Sequence, residues 1–225
     1  MAPAGPMDIH MPTTTDLLIL AQWFSPAFPV GAFAYSHGLE ADIDRGRVTT
    51  AALTDAWVET VLRHGAGWND ALLIAAATRA ADDGEVQGID AMAQALCASG
   101  ERRLETEQQG RAFVRAVNAL HDLDLVPLTY PVAVGRAAGL LSLPLPETLQ
   151  FYLHAMLSNL VSVAVRLVPL GQTAGQRIVK DRAALCAEVA ERAMAGDLDD
   201  LSSSALLTDI ASMRHETQHS RIFRT

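Results

Sequence analysis

Residues 146–168 read PETLQFYLHAMLSNLVSVAVRLV. Their apolar side chains, Leu149, Tyr152, Leu153, Met156, Leu157, Leu160, Val161, Ala164 and Val168, recur at three- and four-residue intervals. That period lays one broad apolar stripe along a helix of roughly 34 Å. Pro146 suits the first helical turn, where its missing N–H costs nothing, and Pro169 cannot continue the helix. Ser158 and Ser162 read as close-packing or back-bonded hydroxyls rather than nucleophiles. Such a stripe must be buried against other helices, and the rest of the chain supplies them.

A second helix runs from about Thr50 to His64, with Leu53, Trp57, Val58, Val61 and Leu62 on one face and Gly65 and Gly67 expected to stop it. Asn69 is then placed to cap an alanine-rich helix to about Ala81, and Asp82-Asp83-Gly84 makes a turn. Further helices follow around Val86–Ala98, Arg102–His121, Tyr130–Leu141, Gln176–Ala195 and Ser204–His215. No run alternates apolar and polar residues with β-branched side chains, so no sheet is expected. The pattern predicts an all-α fold, a single domain of about eight to ten helices over residues 13–225, after a short disordered arm over 1–12.

Composition narrows the function. Among 225 residues, 26 acidic side chains oppose 17 basic ones, a formal net charge of −9 that argues against nucleic-acid binding. Half the residues are hydrophobic, which excludes wholesale disorder. Cys97 and Cys186 lie far apart in apolar helical contexts and read as reduced thiols of a cytoplasmic protein. The first twelve residues lack the basic and apolar regions of a signal peptide, and no apolar stretch reaches the roughly 20 residues of a membrane span. Lys180 is the only lysine, so basic character is almost all arginine.

Three stretches have compositions that helical packing does not explain. Residues 25–40 read SPAFPVGAFAYSHGLE: Pro26 and Pro29 break the preceding helix, and Gly31 and Gly38 supply positive φ or close approach. Phe28, Phe33 and Tyr35 either plug the core at a rigid corner or form a partner surface, with Ser36, His37 and Glu40 the polar exceptions. Ser36 and His37, adjacent on a helix and outside any G-x-S-x-G elbow, do not make a nucleophile and base. Residues 166–172 read RLVPLGQ; Arg166, one turn inside the apolar helix, needs an internal carboxylate or a subunit interface if buried. Gly171 is not part of a phosphate loop, because no Gly-Lys-Ser/Thr follows and no strand precedes.

The third stretch, SMRHETQHSRIFRT over 212–225, contains His215-Glu216-x-x-His219, a literal H-E-x-x-H. It lacks a third ligand downstream, carries Arg221 nearby, and sits where no outer shell would orient ligands, so it does not read as a zinc peptidase. Arg214, Arg221 and Arg224 instead interleave with Met213, Ile222 and Phe223 as a basic, partly apolar docking element.

These motifs together resemble the urease accessory protein UreF family. The family's Ser-Pro-x-x-Pro-x-Gly-x-Phe-x-x-Ser-x-Gly-Leu-Glu run is filled at every fixed position from Ser25 to Glu40. The Arg-Leu-x-Pro-Leu-Gly-Gln turn is similar at Arg166–Gln172. The Met-Arg-His-Glu-x-Gln-x-x-Arg-Leu-Phe ending is similar at Met213–Phe223, with Ile222 in the Leu position. Weaker echoes lie at Glu105–Arg111 and Tyr130–Gly135.

The resemblance implies a non-catalytic maturation factor that binds no metal or cofactor itself. Such proteins dimerise, bind UreD (also called UreH) and present a platform for the GTPase UreG, and the assembly inserts nickel into apo-urease at the expense of GTP. Nickel and GTP are then handled by the partners, with His37, His215 and His219 the histidines to test for nickel contact. The implied partner-binding residues are Pro29, Gly31, Phe33, Ser36, Gly38, Glu40, Arg166, Gly171, Gln172, Met213, His215, Glu216, Gln218, Arg221, Phe223 and Arg224. In the family the tail orders on binding UreD/UreH, so removing Met213–Thr225 is expected to spare the fold and weaken that contact. The alternative role is a GTPase-activating protein that supplies an arginine to UreG.

Overall fold

Side-chain caps set four of the helix starts. Thr13 and Asp16 form a capping box that opens α1 (Thr14–Trp23). Thr50, Asp82 and Ser99 accept from the backbone at the starts of α3 (Ala51–His64), α5 (Asp83–Ala95) and α6 (Gly100–His121). Proline occupies the first turn of α7 (Tyr130–Leu140) and α8 (Leu145–Leu167). Between them lie α2 (Leu39–Asp44) and α4 (Ala66–Arg79), and the chain continues through α9 (Gln172–Ala195) and α10 (Leu206–His215). The computed structural model describes residues 11–225, and among these it is all helix and loop, with no strand. The expected arm over 1–12 lies almost wholly outside the described residues.

Helix α8 is the central post. Leu149, Leu153, Leu157, Leu160 and Ala164 are fully buried along its stripe, and α9 returns against it. Gly175 permits that return, since a Cβ there would lie 2.6 Å from Val165 Cγ2. Helix α7 lies closely on α4 because Gly135 has no side chain: a Cβ would stand 2.4 Å from the Ile74 carbonyl oxygen. By length and hydropathy α8 is long enough to cross a bilayer, against the expectation from sequence, yet 56% of its most apolar window is buried inside the bundle.

Three local expectations are corrected. Asn69 does not cap a helix; α4 begins at Ala66, and the buried Asn69 side chain accepts the Ser202 N–H at 3.1 Å. Gly67 does not stop a helix but lies within α4, where a Cβ would come 2.7 Å from Leu62 Cα, so it is there for the tight α3–α4 corner. Leu53 faces outward at 44% exposure, and Thr54 takes its place on the buried face of α3.

Glycine's two uses separate in a simple comparison. Gly135→Ala should destabilise the chain by about 2 kcal/mol by overpacking α7 on α4. Gly88→Ala, where nothing lies within 4 Å of the new Cβ on α5, should stabilise it by about 0.5–1 kcal/mol. Urea midpoints of the two variants check both signs.

Candidate functional site

The Pro/Gly turn ends in three residues that aim the start of α2. His37 and Gly38 both have positive φ, 56° and 84°. Gly38 is needed twice, because a Cβ would also lie 2.5 Å from Ser212 N on α10. This corner turns α2 inward, so that Leu39, Glu40, Ala41 and Asp42 are all buried.

Glu40 is 5% exposed and grips the C-terminal segment by its backbone. Its Oε1 accepts the Ile222 N–H at 2.7 Å and its Oε2 accepts the Phe223 N–H at 2.9 Å. The same Oε2 lies 3.1 Å from His215 Nε2, and His215 Nδ1 lies 2.7 Å from Glu101 Oε2 on α6. Arg221 pairs with the other Glu101 oxygen. One buried imidazole thus bridges two carboxylates, and each carboxylate also holds the residues that follow it.

The last residues complete the seat. Phe223 is buried, with the Arg166 guanidinium 5.6 Å above its ring centroid. Arg224 donates its N–H to the Ala34 carbonyl at 2.8 Å, and the Thr225 carbonyl accepts both the N–H and the hydroxyl of Ser36. Thr225 Oγ1 donates to Glu105 Oε2 at 2.8 Å.

Glu105 belongs to a second, deeper cluster. It pairs with Arg102 and with His37 Nε2 at 3.0 Å, and Gln109 donates to it at 3.0 Å. Burial alone would raise the Glu105 pKa, but Arg102 and His37 outweigh it and hold the carboxyl well below the usual range. Asp70, which accepts the Tyr152 hydroxyl at 2.7 Å, is shifted the other way by burial. Cavities of about 80 and 60 Å³ flank this cluster and share His37, Asp70, Arg102 and Thr106 in their walls. They admit water-sized molecules.

The residues singled out from sequence divide by exposure. Ser36, Gly38, Glu40, His215 and Phe223 are buried and bind one another within the chain. Phe33, Met213 and Ile222 are exposed at 62%, 49% and 74%, and Arg166, Arg214, Arg221 and Arg224 are exposed as well. Glu216 accepts the Glu101 N–H at 3.2 Å, and Gln218 closes the turn by donating to the Ser220 carbonyl. Gly31 shapes the turn at φ 72°, Pro29 is exposed, and Gly171 and Gln172 are exposed at the start of α9. A groove of about 410 Å³ between the turn and α8 is lined by Phe24, Phe28, Phe33, Phe151 and Arg166.

Several expectations change. Arg166 is not a buried charge in need of a carboxylate; it is exposed, donates to Ser162 Oγ at 3.3 Å and covers Phe223. The H-E-x-x-H residues do not share a helical face, because α10 ends at His215 and His219 lies exposed beyond it. Removing Met213–Thr225 would strip His215 and Phe223 from the interior and leave Glu40 and Glu101 without partners, so the fold is not expected to be spared. Glu101, Arg102 and Asp70 were not singled out from sequence; Glu105 was noted only as the edge of a weak motif.

Two predictions follow from these pairings. Glu40→Ala leaves two amides and His215 without their acceptor and should lower stability by about 3 kcal/mol, read by denaturant titration. For Glu105 the folded-state pKa lies below that of an unfolded glutamate, near about 4.3. Its stabilisation is present above that pH and is lost as pH falls through and below it. Glu105→Gln should therefore flatten the acid limb of a stability-versus-pH curve while lowering its neutral plateau.

The UreF family's sequence profile matches residues 48–183. The urease accessory protein UreF of Ruegeria pomeroyi is 55% identical over 214 residues, which is 95% of this chain and 99% of that protein. UreF of Roseobacter denitrificans is 51% identical over 213 residues, 95% of this chain and 96% of the relative. UreF of Bradyrhizobium diazoefficiens is 43% identical over 235 aligned positions, covering 99% and 97%. With identity at this level over nearly the whole length, the chain belongs to the UreF family of urease accessory proteins.

Proposed function

We infer that the chain acts in the cytoplasm as a non-catalytic scaffold of urease maturation. With UreD/UreH it recruits the GTPase UreG, and the assembly supports GTP-dependent nickel insertion into apo-urease. Nickel and GTP are carried by those partners, and the chain works as a homodimer within the assembly, away from nucleic acid and membrane.

The observation that carries this reading, beyond family membership, is the exposed face built on the seated C-terminal segment. On a chain of net charge −9 its tail exposes Arg214, Arg221 and Arg224 together with Met213 and Ile222, while Arg166 covers Phe223 and lines a groove with exposed Phe33. Exposed apolar side chains interleaved with arginine suit a protein partner with an acidic rim, which the charges also steer into contact.

Light-scattering chromatography of the chain, alone and mixed with UreD/UreH and then UreG, tests it. The expected result is a dimer that takes up UreD/UreH and then the GTPase. Ile222→Asp, at a side chain outside the core, should weaken UreD/UreH binding by about tenfold with an unchanged thermal midpoint. A chain that binds neither partner overturns the scaffold reading. Loss of stimulated GTP turnover in Arg166→Ala, with UreG binding intact, would make the chain a GTPase-activating protein instead.

A further inference from the structure

The corner at Ser36–Gly38 touches the C-terminal segment on one side and the buried cluster on the other. Ser36 N–H binds the Thr225 carbonyl at 2.9 Å, and His37 N–H lies 3.4 Å from Thr225 Oγ1. The Thr225 hydroxyl donates to Glu105 Oε2, while Glu105 Oε1 holds the His37 ring. His37 is under strain here: its φ of 56° is unfavourable for a residue with a Cβ, and its buried Nδ1 has no partner among the protein's own groups. It keeps this conformation only because its neighbours hold it. The His37 ring and Arg102, both paired with Glu105, line both of the inner cavities and stand between them.

We propose that residues 221–225 form a strap that holds the wall between these cavities in place, so that events at the surface of the segment reach the buried cluster. The strap is fastened at Glu40, through the Ile222 and Phe223 amides, and at Glu105, through Thr225. Phe223 and Thr225 are two residues apart and span at most about 7 Å, so unseating the first withdraws the second. The His37 N–H then loses its acceptor, the Thr225 hydroxyl oxygen, and Glu105 loses a donor. Backbone at 37–38 relaxes from the left-handed region, the ring leaves Glu105, and the two cavities join. This inference rests on contacts within the chain and is independent of which partner the segment meets.

Hydrogen exchange read by mass spectrometry on the full-length protein tests the coupling. Phe223→Ala loosens the strap without altering a side chain of the cluster. It should speed exchange about tenfold at residues 36–40 and 102–109 and leave α8 and α9 unchanged. Thr225→Val, which keeps the shape of the side chain and removes its hydroxyl, should produce the same pattern, and Thr225→Ser should restore the original rates. Faster exchange confined to residues 216–225 in Phe223→Ala overturns the proposal. So does an unchanged rate at residues 36–40 in Thr225→Val, whichever way the alanine variant folds.

Discussion

A carboxylate buried in a helical bundle is costly unless donors surround it, and Glu40 is the one on which the rest of this arrangement depends. It is almost fully enclosed yet accepts from two consecutive backbone amides and lies against the His215 ring. Those donors come from α10 and from the segment beyond it, so the path of the last dozen residues follows from the placement of one side chain on α2. Gly38 lets α2 approach α10, His215 is positioned by that approach, and Glu101 takes the nitrogen of the ring that Glu40 leaves. The Ser36-x-Gly-Leu-Glu40 run and the Arg-His-Glu…Arg-Ile-Phe run are therefore two halves of one device, although 175 residues separate Glu40 from His215.

Much of the fold was legible because helix periodicity and capping are local. Pro146, Thr50 and Gly65 mark helix boundaries within a residue or so. The errors arose where tertiary contact decides. Gly67 looks like a stop signal, but it lies within α4 because Leu62 crosses it at 2.7 Å from where a Cβ would stand. Asn69 looks like a cap, but its amide is used inside a helix to hold the loop at Ser202. Leu53 satisfies the apolar period and still faces solvent, since period alone does not say how wide the buried stripe is.

The site was legible as residues and illegible as geometry. Its signature turn and tail stand out in composition, but nothing local says that Glu40 faces inward and Phe33 outward. Glu101, Arg102 and Glu105 lie in GERRLETEQQGR, which reads as an ordinary solvated helix face. They are drawn inside because α10 and the C-terminal segment cover the first turns of α6, a fact set by residues more than 100 positions away. Arg166 went wrong for the converse reason: it interrupts an apolar helix, but on the side that the bundle leaves open.

The division of the motif residues into buried and exposed sets bears on how a partner would be bound. A segment that is free until a partner arrives must lose its conformational entropy at that moment, which lowers affinity for a given contact area. Here the amides of 222–224 and the Thr225 carbonyl already have partners in Glu40, Ala34 and Ser36, and Phe223 already fills its seat under Arg166. What remains outward is a short set of side chains on a fixed frame, Ile222 and the arginines beside it. The resemblance implies a tail that orders only in complex; this structure supplies the intramolecular bonds by which the same residues can be ordered beforehand. Under the docking role proposed above, the buried half of the motif would act on partner binding by fixing the exposed half, and a substitution at Glu40 and one at Ile222 would weaken the same contact for different physical reasons.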